Sequence, residues 1–177
     1  MLNIVLIAVP VIIVLFIVIV SLQRADFRIA RSANISAPGN VVFAQVNDFH
    51  NWEAWSPWLG LDPATKTNFE GPATGAGAIF TWSGNKKVGE GRMTILESRP
   101  NDSIRIELKF IRPWQATSIA EFTFKLERDQ TAVTWAMTGK RKFMEKAVCL
   151  FMNMDKMVGG DFEKGLAKMK NIAEGRS

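Results

Sequence analysis

Residues 143–173 read FMEKAVCLFMNMDKMVGGDFEKGLAKMKNIA. The apolar residues Phe143, Ala147, Leu150/Phe151, Met154, Met157/Val158, Phe162, Leu166, Met169 and Ile172/Ala173 recur every three or four positions. That spacing predicts one apolar stripe along a long helix. Gly159-Gly160 interrupts the stripe, and a Gly inside a helix costs about 1 kcal/mol relative to Ala. A kink or the close approach of another backbone is therefore expected there, with Asp161 recapping the second half. Such a helix needs an apolar surface to lie on, and the chain upstream provides one.

From Lys66 to Lys142 the period is two, broken by turns. It predicts strands at Lys66–Phe69, Ala76–Trp82, Lys87–Glu97, Ser103–Ile111, Thr117–Glu127 and Thr131–Lys142. Asn101-Asp102 and Asp129-Gln130 read as hairpin turns. A further strand alternates over Phe27–Ile35 and stops at Ser36-Ala37-Pro38-Gly39-Asn40. Val41–Val46 follows as a short helix, with Ser36 placed to cap it and Pro38 in its first turn. An aromatic-rich turn, Phe49–Trp58, comes next. The order predicts an α+β fold, a curved antiparallel sheet of about seven strands wrapped around the C-terminal helix.

At the other end, Ile4–Val20 is an unbroken apolar run and no charge precedes Arg24. As a helix, 4–22 reaches roughly 28 Å, near the hydrocarbon thickness of a bilayer. Pro10 is placed to kink it. Met1-Leu2-Asn3 lacks the Lys or Arg of a signal peptide, and Ser21–Ala25 has no A-x-A cleavage pattern. The expectation is one transmembrane anchor over 1–23, crossing through residues 4–22, followed by one domain over 24–177. Arg24, Arg28 and Arg31 against Asp26 alone place the C-terminal side in the cytoplasm. The localisation expected is thus single-pass membrane with a cytoplasmic domain.

The chain carries 22 Lys+Arg against 17 Asp+Glu, a net charge of +5. Lys86-Lys87, Arg105/Lys109/Arg112 and Lys140-Arg141-Lys142 supply much of the excess. Solvated surface or attraction to anionic headgroups accounts for them. They are scattered and accompany no nucleic-acid motif, so no nucleic-acid partner is expected. The single Cys, Cys149, rules out an internal disulfide.

Taken in order, several short motifs resemble a known family. They are Ile35-Ser36-Ala37-Pro38 with Val42-Phe43, Val46-Asn47-Asp48, and Trp52-Glu53-Ala54-Trp55-Ser56-Pro57-Trp58. Further on come Gly75-Ala76-Gly77 with Trp82, Gly89-Glu90-Gly91-Arg92-Met93, Ala120–Phe124, Thr134–Met137 and Gly160–Leu166. Over about 27–173 the chain resembles the START-like (SRPBCC) superfamily, within it the bacterial polyketide cyclase/dehydrase and lipid-transfer group. The resemblance implies a helix-grip fold with a cavity for hydrophobic ligands between sheet and long helix. It does not name one activity, because this fold hosts carriers, receptors, cyclases and co-chaperones.

Nucleophilic and metal chemistry find little support. His50 is the only His and sits in a polar turn; Cys149 lies among apolar helix residues. A zinc site needs three or four converging ligands, and a Rieske-type centre needs two His and two Cys. No metal, cofactor or catalytic residue is expected, and the enzyme question leans towards no. Gly75-Ala76-Gly77 and Gly89-Glu90-Gly91 lead no helix and read as strand-entry or bulge glycines rather than phosphate loops.

Six Trp, 12 Phe and 8 Met, with no Tyr, make the interior rich in adaptable apolar surface. The candidate cavity residues are Trp55, Phe80, Trp82, Phe122, Phe124, Trp135 and Met137 on the sheet side. Phe151, Met154 and Met157 are the candidates on the helix, with Glu90 and Arg92 as a buried polar pair. Trp52, Trp55 and Trp58 read first as a clamp on the first helices, otherwise as a lid or a membrane-interface belt. The function expected is membrane-anchored binding of a hydrophobic or lipid-like small molecule. A polyketide cyclase/dehydrase-like enzyme and a non-catalytic partner-binding module are the alternatives.

Overall fold

The computed structural model describes residues 2–176, with side chains from Ala8 onward. The elements, in chain order, are α1 (Leu2–Leu22), β1 (Asp26–Ile35), α2 (Gly39–Asn47), a 3-10 turn (Phe49–Asn51) and α3 (Trp52–Trp55). Then follow β2 (Lys66–Glu70), β3 (Ile79–Ser83), β4 (Glu90–Arg99), β5 (Ser103–Arg112), β6 (Ala116–Glu127) and β7 (Gln130–Lys140). The chain closes with α4 (Phe143–Cys149) and α5 (Met154–Ala173).

The strands form one seven-stranded sheet in the order β1-β7-β6-β5-β4-β3-β2. Every neighbouring pair is antiparallel. Successive strands turn back on one another from β2 to β7, and the first strand closes the set beside the last. The hairpin turns fall where a residue accepts positive φ: Asn101 at 59° in the β4–β5 turn and Arg128 at 55° in the β6–β7 turn. The second turn thus lies at Arg128-Asp129, one residue before the expected pair. β3 begins at Ile79 rather than Ala76, because Gly75 and Gly77 take φ of 79° and 91° and hold the preceding segment in a turn.

Inward-facing residues alternate with exposed ones along the strands, as in Ile104, Ile106, Phe122, Phe124, Val133 and Trp135. Phe162, Leu166 and Met169 of α5 complete the core with Val42, Val46 and Trp55. Against the expected break at Gly159-Gly160, the C-terminal helix divides at 150–153, and α5 runs unbroken through both glycines. Asn153 provides the reason: its side chain accepts from Lys156 N at 2.9 Å and caps a new helix. Gly159 keeps its place because Arg31 lies against it, and a Cβ there would collide with the guanidinium. The close approach expected of a backbone is made by a side chain.

Arg31 fastens α5 along β1. Its Nε donates to Glu163 Oε1 at 2.7 Å and its Nη2 to Asp155 Oδ2 at 3.0 Å. Further along, Lys170 Nζ donates to the Asn34 carbonyl at 2.7 Å. Ser36 N donates to Glu174 Oε1 at 2.7 Å. Ser36 is therefore tied to the end of α5 and does not cap α2, whose N-cap is Pro38 without a side-chain bond.

The helix expected near the N-terminus is present as α1, 21 residues long, with Pro10 inside it. A transmembrane span at 1–23 is not shown. Among the described residues no helix is long and apolar enough to cross a membrane. Val9 and Val11–Ile19 are exposed, whereas Val20 is fully buried.

Candidate functional site

The middle of the concave sheet face is closed by stacked aromatic rings. Trp135 lies flat on Phe162 of α5, with centroids 4.0 Å apart and planes 10° apart. Phe122 stacks on the same indole at 5.0 Å. Trp52, Trp55 and Trp58 meet it edge-on at 6.2, 5.6 and 5.7 Å. Gly165 makes room for this layer, since a Cβ there would stand 3.0 Å from the Trp135 ring and 3.2 Å from Pro57. The Trp52 and Trp55 indoles donate to the carbonyls of Val46 and Gln45, each at 3.0 Å, which locks α3 onto α2. The tryptophan segment is thus the clamp on the first helices. The cavity expected between sheet and long helix is filled here, because α5 lies along β1 and the rings occupy the space beside it.

Space remains on the β2–β3 wing, where α5 does not reach. Phe69 of β2 faces Phe80 of β3 across the strands, and Thr67 faces Trp82, so all four share one face. Phe49 of the 3-10 turn packs against Phe80, with centroids at 6.0 Å. Two adjoining clefts result. One, of about 240 Å³, is lined by Phe49, His50, Phe69, Pro72, Ala73, Ala78 and their neighbours. The other, of about 140 Å³, is lined by Phe49, Glu53, Leu59, Asp62, Thr65, Phe69 and Phe80 among others. Phe49 and Phe69 belong to both walls and divide them. Each is smaller than the 300–1,000 Å³ typical of small-molecule pockets, about the range where one undivided hollow would fall.

Several polar groups at the wing have defined partners. His50 Nδ1 bonds Asp48 Oδ1 at 2.7 Å, and its ring stacks on Phe69 at 4.0 Å. Asp62 accepts from Asn85 N at 2.8 Å and Ala64 N at 3.1 Å, so it holds the 56–65 segment in place. The Thr65 hydroxyl is buried in the wall of the smaller cleft without a partner. Glu53, Asp62 and Thr67 are the other polar residues of that cleft.

Of the twelve residues expected to line a cavity, Phe80 is the one that lines either of these two clefts. Trp55, Phe122, Phe124 and Trp135 are core, and Trp82 stacks beside Phe80 at 6.0 Å. Met137 packs half-buried on the core. Phe151 and Met157 are exposed, and Met154 opens α5. Glu90 and Arg92 form no buried pair. They flank Gly91, whose backbone faces inward, so their side chains point outward: Arg92 is exposed and Glu90 accepts from Arg112 Nε at 2.6 Å. Phe49, Phe69 and Thr65 were not among the candidates. The one signal for Phe69 is a single aromatic residue in the polar strand Lys-Thr-Asn-Phe-Glu.

Displaced ionisation lies elsewhere. Hydrogen bonds to Asp155 and then Glu163 raise Arg31. The Arg31 hydrogen bond in turn holds Asp155 below the ordinary carboxylate range. The backbone N–H of Ser36 lowers Glu174, with Lys170 and Arg176 assisting. All three serve the junction of α5 with β1, and none lines a cleft.

This architecture, a sheet gripping a C-terminal helix, is that of the family described as polyketide cyclase/dehydrase and lipid transport. Its model matches residues 26–174, and the chain belongs to this family. Solved structures agree in fold at low identity. The Aha1 dimer from Colwellia psychrerythraea is 14% identical, with a TM-score of 0.61 over 84% of this chain and 96% of that one. The major latex-like protein from Panax ginseng is 10% identical, with a TM-score of 0.60 over 84% and 98%. The di-domain ARO/CYC BexL of the BE-7585A biosynthetic pathway is 14% identical, with a TM-score of 0.63 over 89% of this chain and 53% of that one. The curated proteins contain no match to this chain. Family and fold fit binding of a hydrophobic ligand or a cyclase-like role.

Proposed function

We propose that this chain binds a hydrophobic or lipid-like small molecule on the β2–β3 wing, held at a membrane by α1, with the binding domain starting at residue 24. The observation that carries the reading is the pair of adjoining clefts that share Phe49 and Phe69, the latter 40% exposed and stacked on the His50 ring at 4.0 Å. Movement of that ring off His50 enlarges the opening the clefts share, with Phe49 and Phe80 as floor and Glu53, Asp62, Thr65 and Thr67 as the polar groups of the smaller one. The aromatic part of the walls, Phe49, Phe69 and Phe80, supplies the driving force at about 25 cal/mol per Å² buried.

The tether rests on the sequence of α1 and on its exposure. Val9 and Val11–Ile19 present apolar surface on all sides of the helix, which water does not tolerate and lipid does. Anchoring keeps the clefts near an apolar ligand source and raises its effective concentration.

Photolabelling of the full chain in membranes with a diazirine fatty acid tests the binding site. Labels in 49–73 and 79–83, reduced in Ala73→Trp, which fills the larger cleft from an exposed position, support it. Labels confined to α1 sink it. That second outcome would favour a partner-binding module, the reading to which the filled centre of the sheet lends weight.

A further inference from the structure

The strand register places one set of turns at the end of the sheet where α1 leaves off. Asp26 pairs with Lys140, Gly139 with Ser118, Phe110 with Ala116, and Glu90 with both Arg112 and Ser83. The α1–β1 joint, the β3–β4 turn, the β5–β6 turn and the β7–α4 joint therefore share this end. Their surface has two components. Exposed apolar side chains project from it: Trp114 of the β5–β6 turn at 74%, Met144 of α4 at 68% and Phe151 at 80%. Around them stand Arg24, Lys86, Lys87, Lys140 and Lys142, all exposed. Of the nearby acids, Glu90 pairs with Arg112 and Glu145 accepts from the Lys142 backbone N–H at 3.2 Å, while Asp26 stands exposed opposite Lys140.

Two contacts make this end continuous with α1. Lys146 Nζ of α4 donates to the Ser21 carbonyl at 3.4 Å. Lys142 Nζ donates to the Gln115 carbonyl at 3.0 Å, which ties the Trp114 turn to the start of α4. α4 thus lies beside the last turn of α1.

We infer that α4, the following Leu150–Asn153 segment and the Trp114 turn form a second membrane contact, laid on the anionic bilayer surface from which α1 emerges. The inference rests on the anchoring reading above. Apolar tips enter the interface as amphipathic and aromatic groups do, and the basic rim is drawn to anionic headgroups within a Debye length. The contact would fix the orientation of the domain and the direction in which the β2–β3 clefts face.

Tryptophan quenching by brominated phosphatidylcholine tests this on the full chain in vesicles with and without phosphatidylglycerol. Trp52, Trp55, Trp82 and Trp135 are buried and Trp58 is half-buried, so Trp114 is the exposed reporter. The expected result is a chain that stays with the vesicles through an alkaline wash. Its quenching should be greater with phosphatidylglycerol and at least halved in Trp114→Phe. A chain that survives the wash but is quenched equally in wild type and Trp114→Phe overturns the second contact and leaves the anchor standing. A chain stripped by the wash overturns both.

Discussion

Single residues hold this fold where backbones and side chains come closest. Gly91 is one such place. A Cβ there would stand 2.6 Å from the Lys109 carbonyl oxygen and collide with the edge of the Trp82 ring. Neither the β4–β5 ladder nor a buried indole gives way easily, so Gly91→Ala is expected to lower stability by about 1–3 kcal/mol, read from urea unfolding. Gly159 is different, since what occupies its missing side chain is the mobile end of Arg31. Gly159→Ala and Arg31→Ala should therefore be non-additive, the second change relieving part of the first in a double-mutant cycle. Glu174 gives a prediction in pH. Its pKa is lowered in the fold by the Ser36 N–H, so its contribution is present above the ordinary carboxylate value and lost as pH falls through the lowered one. Wild type should be more stable than Glu174→Gln near neutrality, with the difference closing as acid is added in denaturation curves.

The elements show what a sequence conveys about itself. The strands were legible because one face of each is buried and the other wet, which writes a period of two into residues such as Ile104/Ile106 and Phe122/Phe124. The C-terminal stripe was legible as helical for the same reason at a different period. Its division was not, because Gly-Gly is a louder break signal than Asn153, and Arg31, 128 residues before Gly159, decides the fate of the glycine. The break at 150–153 rests on a cap, so Asn153→Ala is expected to cost about 1 kcal/mol, measured by thermal or urea unfolding. The edge cleft was illegible for a related reason. β2 is polar and exposed throughout, and the significance of Phe69 exists only through Phe80 and Phe49, which the fold brings to it.

At the scale of the molecule, the sheet is gripped along β1 and closed at its centre by the Trp135–Phe162 stack, which leaves one wing open. That layout separates stability from binding. Phe162→Ala removes the ring from the fully buried stack and is expected to cost about 3–5 kcal/mol, enough to unfold much of the chain by circular dichroism. Changes at Phe69 fall outside that stack. Phe69→Ala opens the partition between the clefts and should alter the capture of apolar molecules while leaving the unfolding midpoint nearly unchanged. The family and the α+β architecture were readable from motif order across the whole chain. The position of the free space was not, because the same aromatic residues serve equally well as cavity wall or as filling, and only packing decides. The most direct measurement is native mass spectrometry of the full chain extracted from membranes, followed by identification of any released molecule. A stoichiometric apolar adduct, diminished in Ala73→Trp, is the predicted result. A bare chain whose unfolding temperature no apolar ligand shifts would contradict the account.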